Sequence, residues 1–362
     1  MQRRLTTPYQ AGEPIAPGRE SPLDRLRGLS GERIIWFFLI TFAVVSAIAY
    51  TEHFVIGIIV GSLYALAAVG LTLIYGITRT PHFAHGDALM LAAYLAFFVL
   101  FGAVDGATLP VRIEQLPGAM EPIWRFSFGY GLILALLVAA VAMVLLLVAI
   151  DRVVYRPLHR RSSSTALLAV ASLGVAIAMR GFMLLVWSGT PRKYSSGIRD
   201  TVDLWGVKRL VTDQLFIVAA AFVLAALVAL LLYRTRTGRA MRAMADNPDL
   251  ARVCGIVVAD VTRWTWVIGG VLITVAGVLL ALQSQLKPEL GFVLLLPIFA
   301  ATILGGIGSP VGALIGGLSV GVISEVTVAV GVISPGYKTS VAFVVLILII
   351  LVRPNGLFGE RA

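Results

Sequence analysis

The sequence predicts an all-α membrane protein with about eight to ten transmembrane helices, some of them broken by glycine and proline. Of its 362 residues, 59% are hydrophobic and only 13% are charged, whereas a soluble domain carries roughly 25% charged residues. Several uninterrupted apolar runs approach the ~20 residues that a helix needs to cross the hydrocarbon core. The alternating hydrophobicity of barrel strands is absent, so the spans are predicted to be helical.

Ten apolar segments account for the predicted spans. They lie near residues 34–50, 54–77, 84–103, 129–150, 164–187, 214–233, 264–283, 291–306, 311–331 and 339–352. Arginines concentrate in the connectors 151–161 and 234–263, which the positive-inside rule assigns to the cytoplasm. An even number of crossings then returns both termini to the cytoplasmic side, and the longer connectors 104–128 and 188–213 are expected on the outer face.

The remaining polar regions complete the predicted organisation. Residues 1–32 are polar and contain several prolines and arginines, and we expect them to form a disordered cytoplasmic tail. Residues 33–358 form the predicted transmembrane domain, with a cytoplasmic loop at 234–260. Residues 359–362 are predicted to be a short C-terminal tail.

Composition also limits the classes of function. The formal net charge is +10, but the basic residues lie beside predicted helix ends, where they set orientation, so nucleic acid is not an expected partner. Cys254 is the single cysteine, which rules out an intrachain disulfide. The membrane segments contain no catalytic set or metal-ligand cluster, so we expect neither enzymatic chemistry nor a cofactor or bound metal.

The stretch "RTPHFAHGD" breaks the chain before the third segment. Pro81 suits the first turn of a helix, and Asp87 would lie near the positive end of the helix dipole. A local hydrogen-bonded cap is the favoured interpretation, because a metal site at His82 and His85 lacks a third ligand at matching spacing. Non-helical backbone at membrane depth also occurs along aqueous cavities, so His85 and Gly86 are candidates for lining a pathway.

A second break lies in "LGGIGSPVGALIGGLSVG", after the short, Pro297-containing segment 291–306. It lacks the Lys-Ser or Lys-Thr of a phosphate loop. The spacing favours close helix packing in lipid, through the glycines at 308, 312, 316, 317 and 321. Gly/Pro-interrupted segments in both halves of a transporter also indicate its pathway, which makes Gly306 and Ser309 further candidates.

Two ionisable residues lie within predicted spans. Glu325 and Arg180 would each cost roughly 2.5 to 3.5 kcal/mol if they faced lipid at a helix centre, so both must face protein or water. A mutual ion pair is one possibility, and snorkelling of Arg180 to an interface is the other. Glu325 is a candidate pathway residue. A proton- or sodium-coupled carrier would show more carboxylates or histidines inside the membrane.

The cytoplasmic stretch "RTRTGRAMRAMADNPDLARVCGI", residues 234–256, is called the elbow below. It is predicted to form two short helices, the second capped by Asn247, opened by Pro248 and stopped by Gly255. In the first helix, methionine and alanine share one side and arginines another. Such a face suits either insertion into a groove on a partner protein or contact with anionic headgroups.

The motifs "GLTLIYG", "HFAHGDALMLAAYLAF", "TRTGRAMRAMADNPDLARVCGI", "ILGGIGSPVGALIGG" and "VRPNGLFG" occur in this order from about Gly57 to Phe358. Together they resemble the permease subunits of branched-chain amino-acid ABC importers, specifically the LivH type. The family commonly has Asn at the start of its "NFAHG" motif, where this chain has His82. Phe83, Ala84, His85 and Gly86 match the motif.

The resemblance implies an ABC importer permease fold in a bacterial inner membrane. It implies four kinds of partner: a LivM-type second permease, two cytoplasmic ATP-binding subunits, an external solute-binding protein and the lipid bilayer. The elbow would dock on an ATP-binding subunit through Gly238, Arg239, Arg242, Asn247 and Gly255, and His85, Gly86, Gly306, Ser309 and Glu325 would belong to the pathway or its gate. The chain itself would hydrolyse nothing.

Two alternatives stay open at this point. Similar permeases carry urea, short amides or other amino acids, since the external binding protein chooses the cargo. A standalone channel or facilitator would have the same apolar composition but would need no elbow.

Overall fold

The computed structural model describes residues 22–353 and 355–359, except 109, 111, 162, 195–198, 205–206 and 332. Helices dominate the described part of the chain. They are α1 (Pro22–Ala49), α2 (Thr51–Thr78), α3 (His85–Phe101), α4 (Tyr130–Ile150), α5 (Arg156–Arg160), α6 (Thr165–Trp187), α7 (Thr212–Arg234), α8 (Arg236–Asp246), α9 (Pro248–Val253), α10 (Val258–Gln283), α11 (Leu290–Gly305), α12 (Pro310–Ala329) and α13 (Lys338–Val352). A π-helical turn, Asp151–Tyr155, joins α4 to α5. The all-α prediction is confirmed.

The ten predicted spans correspond to ten of these helices. Seven are long and apolar enough to cross a membrane: α2, α4 with its continuation, α6, α7, α10, α12 and the stretch Pro335–Val352. The apolar part of α1 (Ile35–Ala49), α3 and α11 are shorter. A helix of 17 residues such as α3 spans about 25 Å, less than the ~30 Å hydrocarbon core. To cross the whole hydrocarbon core, α3 would need additional length from the connectors at its ends.

The boundary of the predicted N-terminal tail is wrong by about one-third of its length. Helix α1 begins at Pro22, so residues 22–32 are helical instead of disordered. The apolar run marks where a helix can enter lipid, but a helix continues into polar sequence until something stops it, and proline favours a helix start. Residues 1–21 of the predicted tail lie outside the described residues, as do residues 360–362 at the other end.

The core of the subunit lies around α2 and α10. Their most apolar windows are 67% and 78% buried, against 28% or less in α4, α6, α7 and the α13 span. These four peripheral helices expose large aliphatic side chains, among them Val141 and Val223, as expected where a helix faces lipid or a neighbouring membrane protein. The two helices that follow the chain breaks, α3 and α12, are packed against this core.

Glycine sets the distance between α12 and its neighbours. A Cβ at Gly317 would lie 2.3 Å from the Cα of Ala65 in α2, and one at Gly321 equally close to Gly61. On another side of α12, a Cβ at Gly316 would lie 2.1 Å from the carbonyl oxygen of Ala301 in α11. Helices this close gain dispersion contacts, the main adhesive within lipid. The packing prediction is therefore confirmed for these three glycines and for Gly312, but not for Gly308, where an added Cβ would meet nothing within 4 Å.

Two short hairpins lie in the longer connectors and were not predicted. Strands β1 (Ala103–Val104) and β2 (Ala107–Thr108) pair antiparallel, as do β3 (Thr201–Leu204) and β4 (Val207–Val211). Strands of two to five residues give too little periodicity for sequence to reveal them. Short 3₁₀ turns at Ile113–Gln115 and Pro335–Tyr337 complete the regular structure.

Candidate functional site

Helix α3 begins deep inside the subunit. The His85 imidazole Nε2 lies 2.9 Å from the carbonyl oxygen of Ala67 in α2, and α2 ends at Thr78, eleven residues further on, a rise of about 16 Å. The chain between α2 and α3 therefore turns back into the protein before α3 starts. Ser172 of α6 accepts a hydrogen bond from the Ala84 amide there (3.1 Å), which satisfies one donor of the break.

His85 and Gly86 are both buried within the subunit. A Cβ at Gly86 would lie 2.0 Å from the carbonyl oxygen of Gly291, so the two glycines let α3 and α11 touch backbone to backbone. Ala84 occupies the N-cap position of α3, and no side-chain hydrogen bond caps the helix. The favoured interpretation of a local hydrogen-bonded cap is therefore wrong. The assignment of His85 and Gly86 to the pathway stays a prediction.

Arg180 pairs with Asp87, and the suggested pair with Glu325 is wrong. The guanidinium of Arg180 in α6 donates from Nε and Nη2 to the two carboxylate oxygens of Asp87 in α3, each at 2.9 Å. Asp87 is 1% exposed and Arg180 25% exposed. A single sequence gives no distances between helices, so it could not choose among the available carboxylates.

Breaking this pair is expected to destabilise the subunit strongly. Asp87→Asn would leave the guanidinium without a counter-charge, at a cost of about 3 to 5 kcal/mol, whereas Asp87→Leu combined with Arg180→Leu would recover most of the loss. Unfolding by SDS in mixed micelles measures both. Asp249→Asn, which removes an exposed ion pair with Arg252, is the control and should change stability by less than ~1 kcal/mol. An equal loss in the single and double variants would contradict the ion-pair explanation.

Glu325 has a different partner at the other end of α12. Both of its carboxylate oxygens accept hydrogen bonds from Nζ of Lys338 at 2.7 Å, and its side chain is 7% exposed. Lys338 is the first residue of α13, so this charge pair connects the end of α12 with the start of the next helix. Sequence analysis singled out Glu325 but not Lys338, which lies at the edge of its apolar segment.

A glycine conformation and two hydrogen bonds hold the second break. Gly306 has a φ of 98°, a conformation that suits glycine. Ser309 caps α12 by accepting from the Gly312 amide at 3.1 Å, and the Gly308 amide donates to Oγ1 of Thr72 at 2.7 Å. This last bond connects the second break to α2, the helix that leads into the first break.

The C-terminal segment 355–359 also packs on this break. The amides of Leu357 and Phe358 donate to the carbonyl oxygens of Leu304 and Gly305 at 2.8 and 3.1 Å. A Cβ at Gly306 would lie 2.4 Å from the Gly359 amide nitrogen. The carbonyls freed at the end of α11 thereby gain partners, which explains how the chain breaks at this depth without unsatisfied backbone.

The elbow folds as two short helices, as predicted. Oδ1 of Asn247 accepts from the amides of Asp249 and Leu250 at 3.1 and 3.0 Å, Pro248 is the first residue of α9, and Gly255 ends it with a φ of 84°. These capping roles could be predicted from the sequence because each depends on residues that are close together in the chain. The extended backbone of Asn247 separates α9 from α8.

The prediction that the methionines of α8 face a partner is wrong. Met241 and Met244 are buried against the hydrophobic core of the subunit itself. Gly238 is buried too, because a Cβ there would lie 2.2 Å from the carbonyl oxygen of Leu231 in α7, so it cannot contact an ATP-binding subunit directly. The amphipathic pattern was correct, but a pattern does not tell whose apolar surface covers the methionines.

The exposed surface of the elbow consists of arginines beside an apolar patch. Arg239 and Arg242 are exposed on α8, and the Arg242 guanidinium carbon lies 4.9 Å from the centre of the Tyr233 ring. Leu250 and Val253 of α9 are 60% and 85% exposed. Sequence analysis missed both apolar residues; the signal was available, since they lie three apart on a helix whose other face carries the buried Ala251.

A cavity of about 900 Å³ lies between the elbow and the second break. Arg242 and Asp246 of α8 line it on one side, and Gly308 and Ser309 line it on the other, with Arg79 at the end of α2. Of the five predicted pathway residues, Ser309 is the one that lines this cavity. The elbow and both chain breaks therefore border a single space.

The sequence is similar to those of known transport permeases. Residues 54–350 match the family described as branched-chain amino acid transport system / permease component. The permease protein BraD of the high-affinity branched-chain amino acid transport system of Pseudomonas aeruginosa is 31% identical, over 86% of this chain and 96% of the relative. LivH of Salmonella typhimurium is 32% identical over 84% and 94%. Probable LivH of Methanocaldococcus jannaschii is 29% identical over 83% and 90%.

No solved structure matches the chain. The family match covers most of its length, including both chain breaks and the elbow. The chain belongs to the family of branched-chain amino acid transport system permease components.

Proposed function

We propose that this chain is the LivH-type membrane subunit of an ABC importer that moves branched-chain amino acids into the cytoplasm. Its partners would be a LivM-type second permease, two cytoplasmic ATP-binding subunits and an external solute-binding protein. It would lie in a bacterial inner membrane with both termini in the cytoplasm, as the distribution of arginines indicates. Branched-chain amino acids are the cargo that the names of the relatives state.

The observation that carries this proposal is the continuity from the elbow to the chain breaks. A partner that docks on Arg239, Leu250 and Val253 would push on α8, whose buried methionines are packed into the core. α8 shares the 900 Å³ cavity with the loop at Gly308 and Ser309, and that loop is bonded to α2 through Thr72. A force from the cytoplasm would thus reach both breaks through contacts in one subunit.

Under this proposal, the chemistry belongs to the partners. ATP hydrolysis by the ATP-binding subunits would move the docked elbows, and the elbows would shift the broken helices between outward-open and inward-open arrangements. We assign contact with the ATP-binding subunit to Arg239, Arg242 and the cap at Asn247, and Gly255 to the turn that leads out of α9. His85, Gly86, Gly306, Ser309 and Glu325 would act by shaping the path or its gate.

Reconstitution of the four-component complex in proteoliposomes tests the proposal. ATP hydrolysis should rise when a leucine-loaded binding protein is added outside, and leucine should accumulate inside at the expense of ATP. Binding protein loaded with urea or a short amide should give no such increase. Accumulation of urea instead of leucine would show that urea is the cargo. Solute movement by this chain alone, at full rate and without ATP, would show that the chain is a channel or facilitator.

A further inference from the structure

Arg180 presents a charged group at the surface of the subunit within a membrane-spanning helix. It lies seven residues before α6 ends at Trp187, and its side chain is 25% exposed although Nε and Nη2 are bonded to Asp87. Its Nη1 has no hydrogen-bond partner among the described residues. Exposure of a guanidinium to lipid is costly, on the order of 2.5–3.5 kcal/mol at a helix centre, so water or protein must cover this surface.

An apolar groove of about 400 Å³ lies between α6 and α11. Arg180 does not line it, but Phe292, which Arg180 contacts, does. Val170 and Leu173 line it from α6, and Phe292, Leu296 and Phe299 line it from α11. Its size lies within the range of small-molecule sites, which are mostly apolar with a few placed polar groups.

Phe292 connects Arg180 to the groove. The guanidinium carbon of Arg180 lies 4.8 Å from the centre of the Phe292 ring, so one face of the cation covers an aromatic side chain that also lines the groove. Asp87 fixes the guanidinium by accepting hydrogen bonds from Nε and Nη2. An occupant that places a carboxylate on Arg180 and a compact aliphatic group against Phe292 would therefore contact both.

We propose that the groove and Arg180 form a transit site for the cargo, with the aliphatic side chain in the groove and the carboxylate on Nη1 of Arg180. This inference rests on the proposed function, which supplies the aliphatic amino acid. Because Asp87 already neutralises Arg180, the added carboxylate gains one charge-assisted hydrogen bond and not a full ion pair. Binding would therefore be weak enough to allow release, as transport requires.

Cysteine accessibility in the reconstituted complex tests the site. Cys254, the single cysteine, is replaced by serine, and single cysteines are introduced at Leu173 and Leu296, which are 42% and 40% exposed, so truncation there leaves little cavity. Val141→Cys, in the middle of the exposed face of α4, is the control. The probe is a charged, membrane-impermeant methanethiosulfonate, which reacts only where water reaches the thiol.

Both groove cysteines are expected to react at least tenfold faster than the cysteine of the Val141→Cys control. Leucine should slow their modification severalfold, whereas glycine, which has no side chain, should not. A rate equal to that of the control would overturn the proposal, since lipid or protein would then fill the groove. Fast reaction without protection by leucine would also overturn it, because the groove would be wet but would not bind cargo.

Failure of the proposed function would be visible separately. The complex that carries only the Cys254→Ser change should take up leucine when ATP is supplied. If this complex did not take up leucine, the proposed function would be rejected before any groove variant is tested. With that uptake established, the labelling results bear on the groove alone.

Discussion

Gly317→Val is expected to leave almost no folded subunit in the membrane. A Cβ at this position would lie 2.3 Å from Cα and 2.4 Å from N of Ala65, which are backbone atoms of α2. No rotamer change can move them, so α12 and α2 would have to separate along the contact that also includes Gly321 and Gly61. Ordinary overpacking costs about 1 to 3 kcal/mol; forcing apart two central helices should exceed that range.

The fraction of the detergent-extracted subunit that elutes as a monodisperse species measures the effect. Gly174→Val is the matched control, because Gly174 is an exposed glycine of another membrane helix with nothing within 4 Å of the added Cβ. That variant should elute like the unaltered subunit. If Gly317→Val eluted equally well, α12 would have to lie farther from α2 than the contact between Gly317 and Ala65 indicates.

Reversal of charge at Arg239 and Arg242 is expected to abolish uptake while leaving the subunit folded. Both side chains are exposed, and the Arg239→Glu/Arg242→Glu variant should lose the charge-assisted contacts that orient the elbow on an ATP-binding subunit. Uptake of leucine in the reconstituted complex should fall to background. Co-purification of the ATP-binding subunit should fall with it.

Two further variants separate charge from packing at the elbow. Arg239→Lys/Arg242→Lys keeps the charge and should retain much of the uptake, whereas Leu250→Glu places a charge in the apolar patch and should weaken docking on its own. Arg160→Glu/Arg161→Glu makes the same change of charge in the other basic connector and should have a smaller effect. Full uptake by the Arg239→Glu/Arg242→Glu variant would show that these arginines of the elbow are not needed for docking.

Local features of this fold could be predicted from sequence because each depends on neighbours in the chain. The ends of most apolar helices, the capping by Asn247 and the stop at Gly255 follow from periodicity and from residues with specific backbone roles. The spacing of glycines around Gly317 predicted close helix packing for the same reason. None of these inferences required knowledge of which helices are adjacent.

Features that depend on helix neighbours could not be predicted in this way. The partner of Arg180 is Asp87, far away in sequence, and Glu325 pairs with Lys338 from a different helix. The methionines of α8 have an apolar partner within their own chain, although their pattern fits an external groove equally well. The backbone contact of Gly86 with Gly291 is of the same kind, since it joins the starts of α3 and α11, which are far apart in the sequence.

The hydrogen bonds from Leu357 and Phe358 to the end of α11 impose an order on biosynthesis. During translation, α11 emerges long before residues 357 and 358, and both α12 and α13 must be threaded into the bilayer in the meantime. Until then the carbonyls of Leu304 and Gly305 lack these amide donors. A nascent chain interrupted within α13 would therefore leave the end of α11 without these two donors.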